Sequence, residues 1–309
     1  MRLIGAAEMD ACLTWRSLTE SLRQAYRRGT AAPPRTDYDI PAELPDGRLA
    51  MATAWEDRRH IGVRIATFFP GNPELDKPVG MGVFLLLSAK TGQPLALLDG
   101  QHLTRRCAAA LSALASSYLS RNDASRLLMI GTGALSAGLV LAHAEVRPIK
   151  EVIVWGRNAR KAAKLAKTLS NRDFTISATD DLQTAVAGAH IICCATAAAE
   201  PLLQGRWLTP GVHIDLVGSM TPDGRESDDT VVETARLFVD TRDGAVLTGD
   251  FAQPMADGKI ADDDIAGDMF QLTQGAIAGR RFYDQITLFK SCGNALTDLA
   301  GAQIAFRQT

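Results

Sequence analysis

The chain has 309 residues, of which 46% are apolar and 22% charged, with a formal net charge of −2. This is globular composition with room for two domains, and the charge offers no electrostatic basis for binding nucleic acid or an anionic membrane. No apolar run reaches membrane-spanning length. Glu8 and Asp10 interrupt the N-terminal run, so no signal peptide is expected and the cytoplasm is the expected location.

Residues 10–28 read as one helix with apolar Leu13, Leu18, Leu22 and Ala25, ended by Pro33-Pro34. Residues 35–54 alternate loosely around Pro45-Asp46-Gly47-Arg48, the pattern of a hairpin. A strand follows over 61–69, carrying Arg64 among apolar neighbours, and then the turn Pro70-Gly71-Asn72-Pro73. Residues 79–87 and 94–98 read as two strands joined through Lys90-Thr91-Gly92. The first third is therefore an α+β unit, and a helix over 104–119 leads out of it.

Residues 127–130 are a buried strand running into Gly131-Thr132-Gly133 and then an Ala/Leu-rich helix. Glycines let a backbone turn tightly against a ligand, and a helix N-terminus offers free N–H groups and positive dipole to a phosphate. The third small position of the dinucleotide fingerprint is Ser136, off the usual Gly or Ala. Residues 151–155 form the next strand, completing a βαβ unit. An NAD site usually ends this strand with an acid for the ribose hydroxyls. Here stands Trp155-Gly156-Arg157-Asn158, with Arg160 and Lys161 close by. Arg157 and Asn158 facing a 2′-phosphate predict NADP(H) as the preferred cofactor, with NAD(H) possible.

Strands near Leu127, Val152, Phe174, Ile191, Val212 and Leu237 alternate with helices near Ala137, Ala162 and Leu182, and over 265–277. Such alternation is the mark of a doubly wound parallel α/β sheet. Asp262-Asp263-Asp264 reads as the cap and first-turn charge of the helix over 265–277. Residues 286–306 read as strand, turn and amphipathic helix, placed to return to the first domain. The five cysteines (Cys12, Cys107, Cys193, Cys194, Cys292) are odd in number and fit neither a disulfide framework nor a zinc site. Cys193 and Cys194 should point to opposite faces of a strand, as buried thiols. The five histidines are scattered, and no metal is expected.

These stretches resemble the ornithine cyclodeaminase/μ-crystallin family along almost the whole chain: FFPGNP at 68–73, the blocks at 97–104 and 110–119, IGTGALS, VWGRN, GS.TPD.RE.DD at 218–229, and ITLFKS.G.AL.DLA at 286–300. The resemblance implies a Rossmann-type dinucleotide domain over 121–289. It implies a second, α+β domain for substrate binding and dimerisation over 1–120 plus 290–309, in a homodimer. Its shared chemistry is hydride transfer between a nicotinamide and the carbon beside a carboxylate, through an imine. That requires a cation for the carboxylate, a proton donor or acceptor at nitrogen, and a dry pocket.

The family's usual catalytic lysine aligns with Arg64, a usual carboxylate-binding arginine with Cys107, and the cyclodeaminase aspartate with Met220. Arg105 and Arg106 precede Cys107 and point elsewhere, by roughly 100° per residue on a helix. A further family arginine matches Arg35. Arg35 and Arg64 are thus the catalytic candidates, clasping a carboxylate. A salt-bridged strand residue is the alternative reading of Arg64, and a small buried helix residue that of Cys107. Gly131, Gly133, Ala134 and Leu135 would hold the pyrophosphate; Thr196, Gly218, Ser291 and Gly293 would line the nicotinamide side. Since guanidinium does not deprotonate, the expected activity is reduction of small imino acids of ketimine or pyrroline-2-carboxylate type. Ornithine cyclodeamination and a non-catalytic NADPH-bound binding protein are the alternatives.

Overall fold

The computed structural model describes residues 1–42 and 46–309. In chain order the described elements are β1 (Arg2–Ile4), α1 (Ala6–Cys12), α2 (Trp15–Arg28), β2 (Thr36–Ile40), β3 (Gly47–Glu56), β4 (His60–Phe68), β5 (Gly80–Ser88), β6 (Pro94–Asp99) and α3 (Gly100–Leu119). Then come β7 (Arg126–Ile130), α4 (Ser136–Val146), β8 (Glu151–Trp155), α5 (Ala159–Thr168), β9 (Thr175–Thr179), α6 (Leu182–Gly188), β10 (Ile191–Cys194) and β11 (His213–Leu216). The last are α7 (Asp229–Thr234), β12 (Arg236–Val239), α8 (Arg242–Ala245), α9 (Gly249–Ala256), β13 (Ile265–Asp268), α10 (Met269–Gln274), β14 (Thr287–Lys290) and α11 (Ala295–Gln308). The chain divides into one compact unit of Met1–Ala108 with Gly293–Thr309, and another of Ala109–Cys292. No described helix is long and apolar enough to cross a membrane.

The first unit is built on a six-stranded sheet, ordered β1-β6-β5-β4-β3-β2. Strand alternation sorts its side chains onto two faces. Ala50, Ala52, Ala54, Ala66, Phe84, Leu86, Ala96 and Leu98 are buried on the inner face. These are mostly small residues, so a helix can lie close, and α11 packs across β3, β4 and β5 there. Gly62 has no room for a side chain against Phe84 and Leu299. The helix expected over 10–28 is two. Thr14, in extended conformation, accepts the Ser17 N–H and caps α2, which stops α1 two residues earlier. β1 pairs parallel with β6 and was not visible in the sequence, being three residues long. The hairpin pairs β2 with β3, Ile40 opposite Gly47; the turn expected at Pro45-Asp46 lies partly outside the described residues, at Pro45.

The second unit is an eight-stranded sheet in the order β13-β12-β14-β11-β10-β7-β8-β9. Every pairing in it is parallel. β7 is the first strand of this sheet in the chain; β8 and β9 extend it on one side, and β10 and β11 on the other, where β14 then lies between β11 and β12. The crevice between the C-terminal ends of β7 and β10 is the topological switch point, where sheets of this kind bind ligands. β10 and β11 are buried on both faces, as in helix-covered parallel sheets. Cys194 belongs to the apolar core with Ile192, Ile214 and Leu288. Cys193 faces the other way and donates to Asp215 Oδ2 at 3.1 Å. His143 Nε2 lies 3.4 Å from the same oxygen. Among the described residues, this trio is the one group of metal-capable side chains with ligand atoms within 4.8 Å. Burial holds the Cys193 thiol protonated, so it meets Asp215 as a hydrogen-bond donor. All five cysteines are free.

The 265–277 segment corrects the expected helix. Ile265–Asp268 is an edge strand parallel to β12, and only Met269–Gln274 is helical. Asp268, not the acidic triplet, is its cap, accepting the Gln271 N–H at 2.9 Å. Asp262–Asp264 forms a single 3-10 turn in which Asp264 accepts from Ala261 N at 2.7 Å. Apolar Ile265 is taken by the sheet, and that fixes the helix start four residues later, at Met269.

Candidate active site

The dinucleotide-type turn sits at the switch point. Gly131 has φ +123°, and a Cβ there would lie 2.5 Å from Ala195 O, so the turn presses on the loop after β10. Gly133 faces open space. Ala134 and Leu135 lead into α4, where Leu135 is the N-cap and, among the described residues, no side chain caps the first turn. An eleven-residue helix whose first N–H groups meet no capping side chain, preceded by an uncrowded glycine, fits a phosphate group.

Beyond β8, Arg157 is exposed and no hydrogen bond or ion pair holds it among the described residues. Asn158 caps α5, its carboxamide oxygen accepting the Lys161 N–H at 3.1 Å. Asn158 therefore has a structural duty that the sequence reading did not assign. Gly156 cannot carry a side chain without meeting Thr132 of the glycine turn.

Thr196 lies two residues past β10, Gly218 two past β11 and Ser291 one past β14, all at the C-terminal edge of the same sheet. Gly218 abuts the Thr196 backbone so closely that no Cβ fits. Gly293, at φ +69°, opens the segment that Asn294 caps into α11. Behind these loops is a buried ionic group the sequence reading missed: Glu226, Asp250 and Lys290. Burial raises the Glu226 pKa, opposed by the charge of Lys290 and reinforced by that of Asp250. The signal was present as a lysine closing the apolar strand TLFK and an acid inside the GS.TPD.RE block.

The first unit holds the cation candidates. Arg64, on β4, is mostly buried; its Nη1 lies 3.2 Å from Asp298 Oδ2. Thr104 Oγ1 donates to the same oxygen at 3.1 Å. Asp298 stands in the first turn of α11, fully buried, and its Oδ1 has no partner among the described residues. Burial raises its pKa, opposed by Arg64 and Thr104. Arg35 pairs with Asp37 at 3.0 Å. Arg64 opposes Ala52 on β3, and Arg35 directly precedes Thr36, the first paired residue of β2, which opposes Met51. Arg106 is spent elsewhere, on Asp10 at 2.6 Å, on Leu13 O and over the Trp15 ring. Arg105 is exposed, and Cys107 is buried where Gly301 of α11 crosses α3. Cys107 is the small buried helix residue its position suggests, its thiol pushed up by burial and by Asp298. Met220 is half-buried in the loop after Gly218.

An all-parallel sheet with a glycine turn and helix N-terminus at its switch point defines an α/β protein of the dinucleotide-binding class. The chain belongs to the ornithine cyclodeaminase/mu-crystallin family, whose model matches residues 6–308. It is 37% identical over 308 residues to a Delta(1)-pyrroline-2-carboxylate reductase of Colwellia psychrerythraea, covering 98% of this chain and 97% of that one. Among solved structures it resembles Thermococcus litoralis Delta(1)-pyrroline-2-carboxylate reductase in complex with NADH and L-proline. The TM-score there is 0.94 at 30% identity, covering 100% of this chain and 97% of the other. It also resembles the iminosuccinate reductase of Paracoccus denitrificans with NAD+, at TM-score 0.91 and 26% identity, covering 100% and 96%.

Proposed function

We propose that this chain is a nicotinamide-dependent reductase of small imino acids, of pyrroline-2-carboxylate or ketimine type, with NADPH as its preferred donor. The observation that carries this reading is Arg64, a cation fixed by a buried carboxylate and unable to deprotonate. It can bind a substrate carboxylate and cannot shuttle the proton that amine oxidation requires. Met220, where cyclodeaminases keep an aspartate, argues the same way. The names of the relatives, at 37% identity and below, support it.

In this reading the nicotinamide supplies a hydride to the imine carbon. Arg64, steered by Asp298 and Thr104, binds one carboxylate oxygen, and Arg35 can leave Asp37 to meet the other. A charge-assisted pair of this kind orients the carbon beside the carboxylate. The imine nitrogen enters already protonated, so no side chain need donate to it. Gly131, Gly133, Ala134 and Leu135 hold the pyrophosphate, and Arg157, backed by Arg160 and Lys161, meets the 2′-phosphate. Asn158 fixes the helix start beside it. Thr196, Gly218, Ser291 and Gly293 line the nicotinamide side. The chain works as a homodimer in the cytoplasm.

The test is oxidation of NADPH and of NADH, followed by absorbance, with cyclic imino acids and with α-keto acids plus ammonia or methylamine. Turnover of a cyclic imino acid, faster with NADPH, is the expected result. Release of ammonia from ornithine without added reductant would instead favour cyclodeamination. Cofactor binding with no turnover of any substrate would favour a binding protein.

A further inference from the structure

We propose that Glu226 is a positioning residue for the nicotinamide end of the cofactor, acting through the two loops its carboxylate ties together. Oε1 accepts the Thr196 N–H at 2.7 Å and the Thr196 hydroxyl at 2.9 Å. Oε2 accepts the Gly218 N–H at 2.8 Å and the Ser219 N–H at 3.4 Å. All four partners are placed as donors, so the ionised carboxylate is the form that satisfies the site. The two loops follow neighbouring strands, β10 and β11. The first of them also carries Ala195, whose carbonyl presses on Gly131 of the phosphate turn. A ligand laid out from that turn along the strand ends therefore meets a wall whose shape Glu226 sets.

Glu226 is itself fixed from behind. Its own N–H, with the N–H and hydroxyl of Ser227, donates to Asp250 Oδ1 at 2.8, 3.1 and 3.3 Å. Lys290 Nζ donates to Asp250 Oδ2 at 3.0 Å and to Ser219 O at 2.7 Å, reaching the second loop from its other side. Two carboxylates and one ammonium, none more than 1% exposed, are an expensive thing to bury. Well-packed apolar residues would hold the same volume at less cost. What the ionic group supplies and apolar packing cannot is a defined set of backbone directions at residues 196 and 218.

This inference rests on the reading of the second unit as a nicotinamide cofactor site, and the experiment separates the two. Glu226→Gln keeps the shape and turns one acceptor toward the N–H donors as an NH2. Binding of NADPH, of NADH and of ADP-ribose is measured for wild type and variant, with the melting temperature of each. The expected result is about a tenfold or greater loss of affinity for the dinucleotides, a fall in kcat, and ADP-ribose binding unchanged. Equal dinucleotide binding by wild type and variant, or parallel loss of ADP-ribose binding, overturns the positioning role. Failure of the wild type to bind any dinucleotide overturns the cofactor reading and this inference with it. Should the variant not fold, hydrogen exchange on the wild type decides. NADPH, and not ADP-ribose, should protect residues 195–198 and 217–219, and equal protection by both would overturn the proposal.

Discussion

Arg64 Nη1 lies 3.2 Å from Asp298 Oδ2, joining a strand near the middle of the chain's first sheet to the first turn of its last helix. The pair fixes the guanidinium, and the helix N-terminus favours the carboxylate. Arg64→Ala should lower kcat/KM for imino-acid reduction on the order of 100-fold, since one partner of a buried charge pair is lost along with the substrate's cation. Cofactor affinity should be unchanged. Steady-state kinetics with a fluorescence titration of NADPH checks both; full retained activity would remove Arg64 from the site. Asp298→Asn, which leaves the cation and loosens its aim, should raise KM for the imino acid more than it lowers kcat.

Arg157 is the first of the exposed cations past β8 and has no partner among the described residues. Arg157→Asp should weaken NADPH about tenfold or more and leave NADH equal or improved, because an acid there repels a 2′-phosphate and accepts from a 2′-hydroxyl. The ratio of kcat/KM with the two cofactors is the measurement. A ratio unmoved by the substitution would take the 2′-phosphate away from Arg157.

What was legible and what was not divides along physical lines. The parallel sheet announced itself because most of its strands are apolar runs leading into turn residues and helices, as at Ile130 to Gly133. Local rules failed where a tertiary partner decided. Ile265 reads as helix until β12 offers it an edge. Thr14 reads as helix interior until its side chain caps Ser17. For the candidate site, residues carrying a motif of their own, such as Gly131 and Arg157, could be proposed from spacing. Asp298 and Glu226 could not: each works through groups 234 or 30 residues away. Only folding shows that Arg64 and Thr104 share one carboxylate oxygen.

Gly131→Ala tests the turn. The residue has φ +123°, and the added methyl would lie 2.5 Å from Ala195 O. Strain of this kind costs about 1–3 kcal/mol. The melting temperature should fall by several degrees, and dinucleotide binding should be lost in a chain that is still folded by circular dichroism. Binding at wild-type strength would mean that the turn does not approach a ligand.

His213 makes stability depend on pH. It is buried, and burial first, then the charges of His143, Arg280 and Arg147, hold its pKa well below the ordinary 6.5. His60 and His190 are lowered too, chiefly by burial. Above pH 6.5 these rings are neutral in both states. Below it the unfolded chain takes up protons that the folded chain refuses, so stability falls with pH. Glu226 and Asp298, raised by burial, act oppositely, since the folded state binds their protons more tightly. The contribution of His213 is therefore read by difference. Urea midpoints at pH 7.5 and 5.5 should separate more for the wild type than for His213→Asn, about the two pH values bracketing 6.5. Equal separations would show that the fold leaves the titration of His213 unshifted.

The outer face of the six-stranded sheet predicts the oligomer. Its cross-strand rows are mostly apolar: Thr53, Val63, Leu85, Leu97 and Leu3 form one, and Tyr38, Leu49, Thr67 and Met81 another. Leu3 is 72% exposed, Tyr38 48% and Met81 41%. The inner face is already covered by α11, so this sheet has one side with no covering element of its own unit among the described residues. Soluble chains seldom leave so continuous an apolar surface in water, and a face shared between two copies removes it from both. Sedimentation should therefore give a dimer at micromolar concentration. Met81→Asp sets a charge on the shared face, where it would be desolvated on association, and should give monomers with intact helical content. A wild-type monomer, or a Met81→Asp dimer as tight as the wild type, would move the interface elsewhere on the chain.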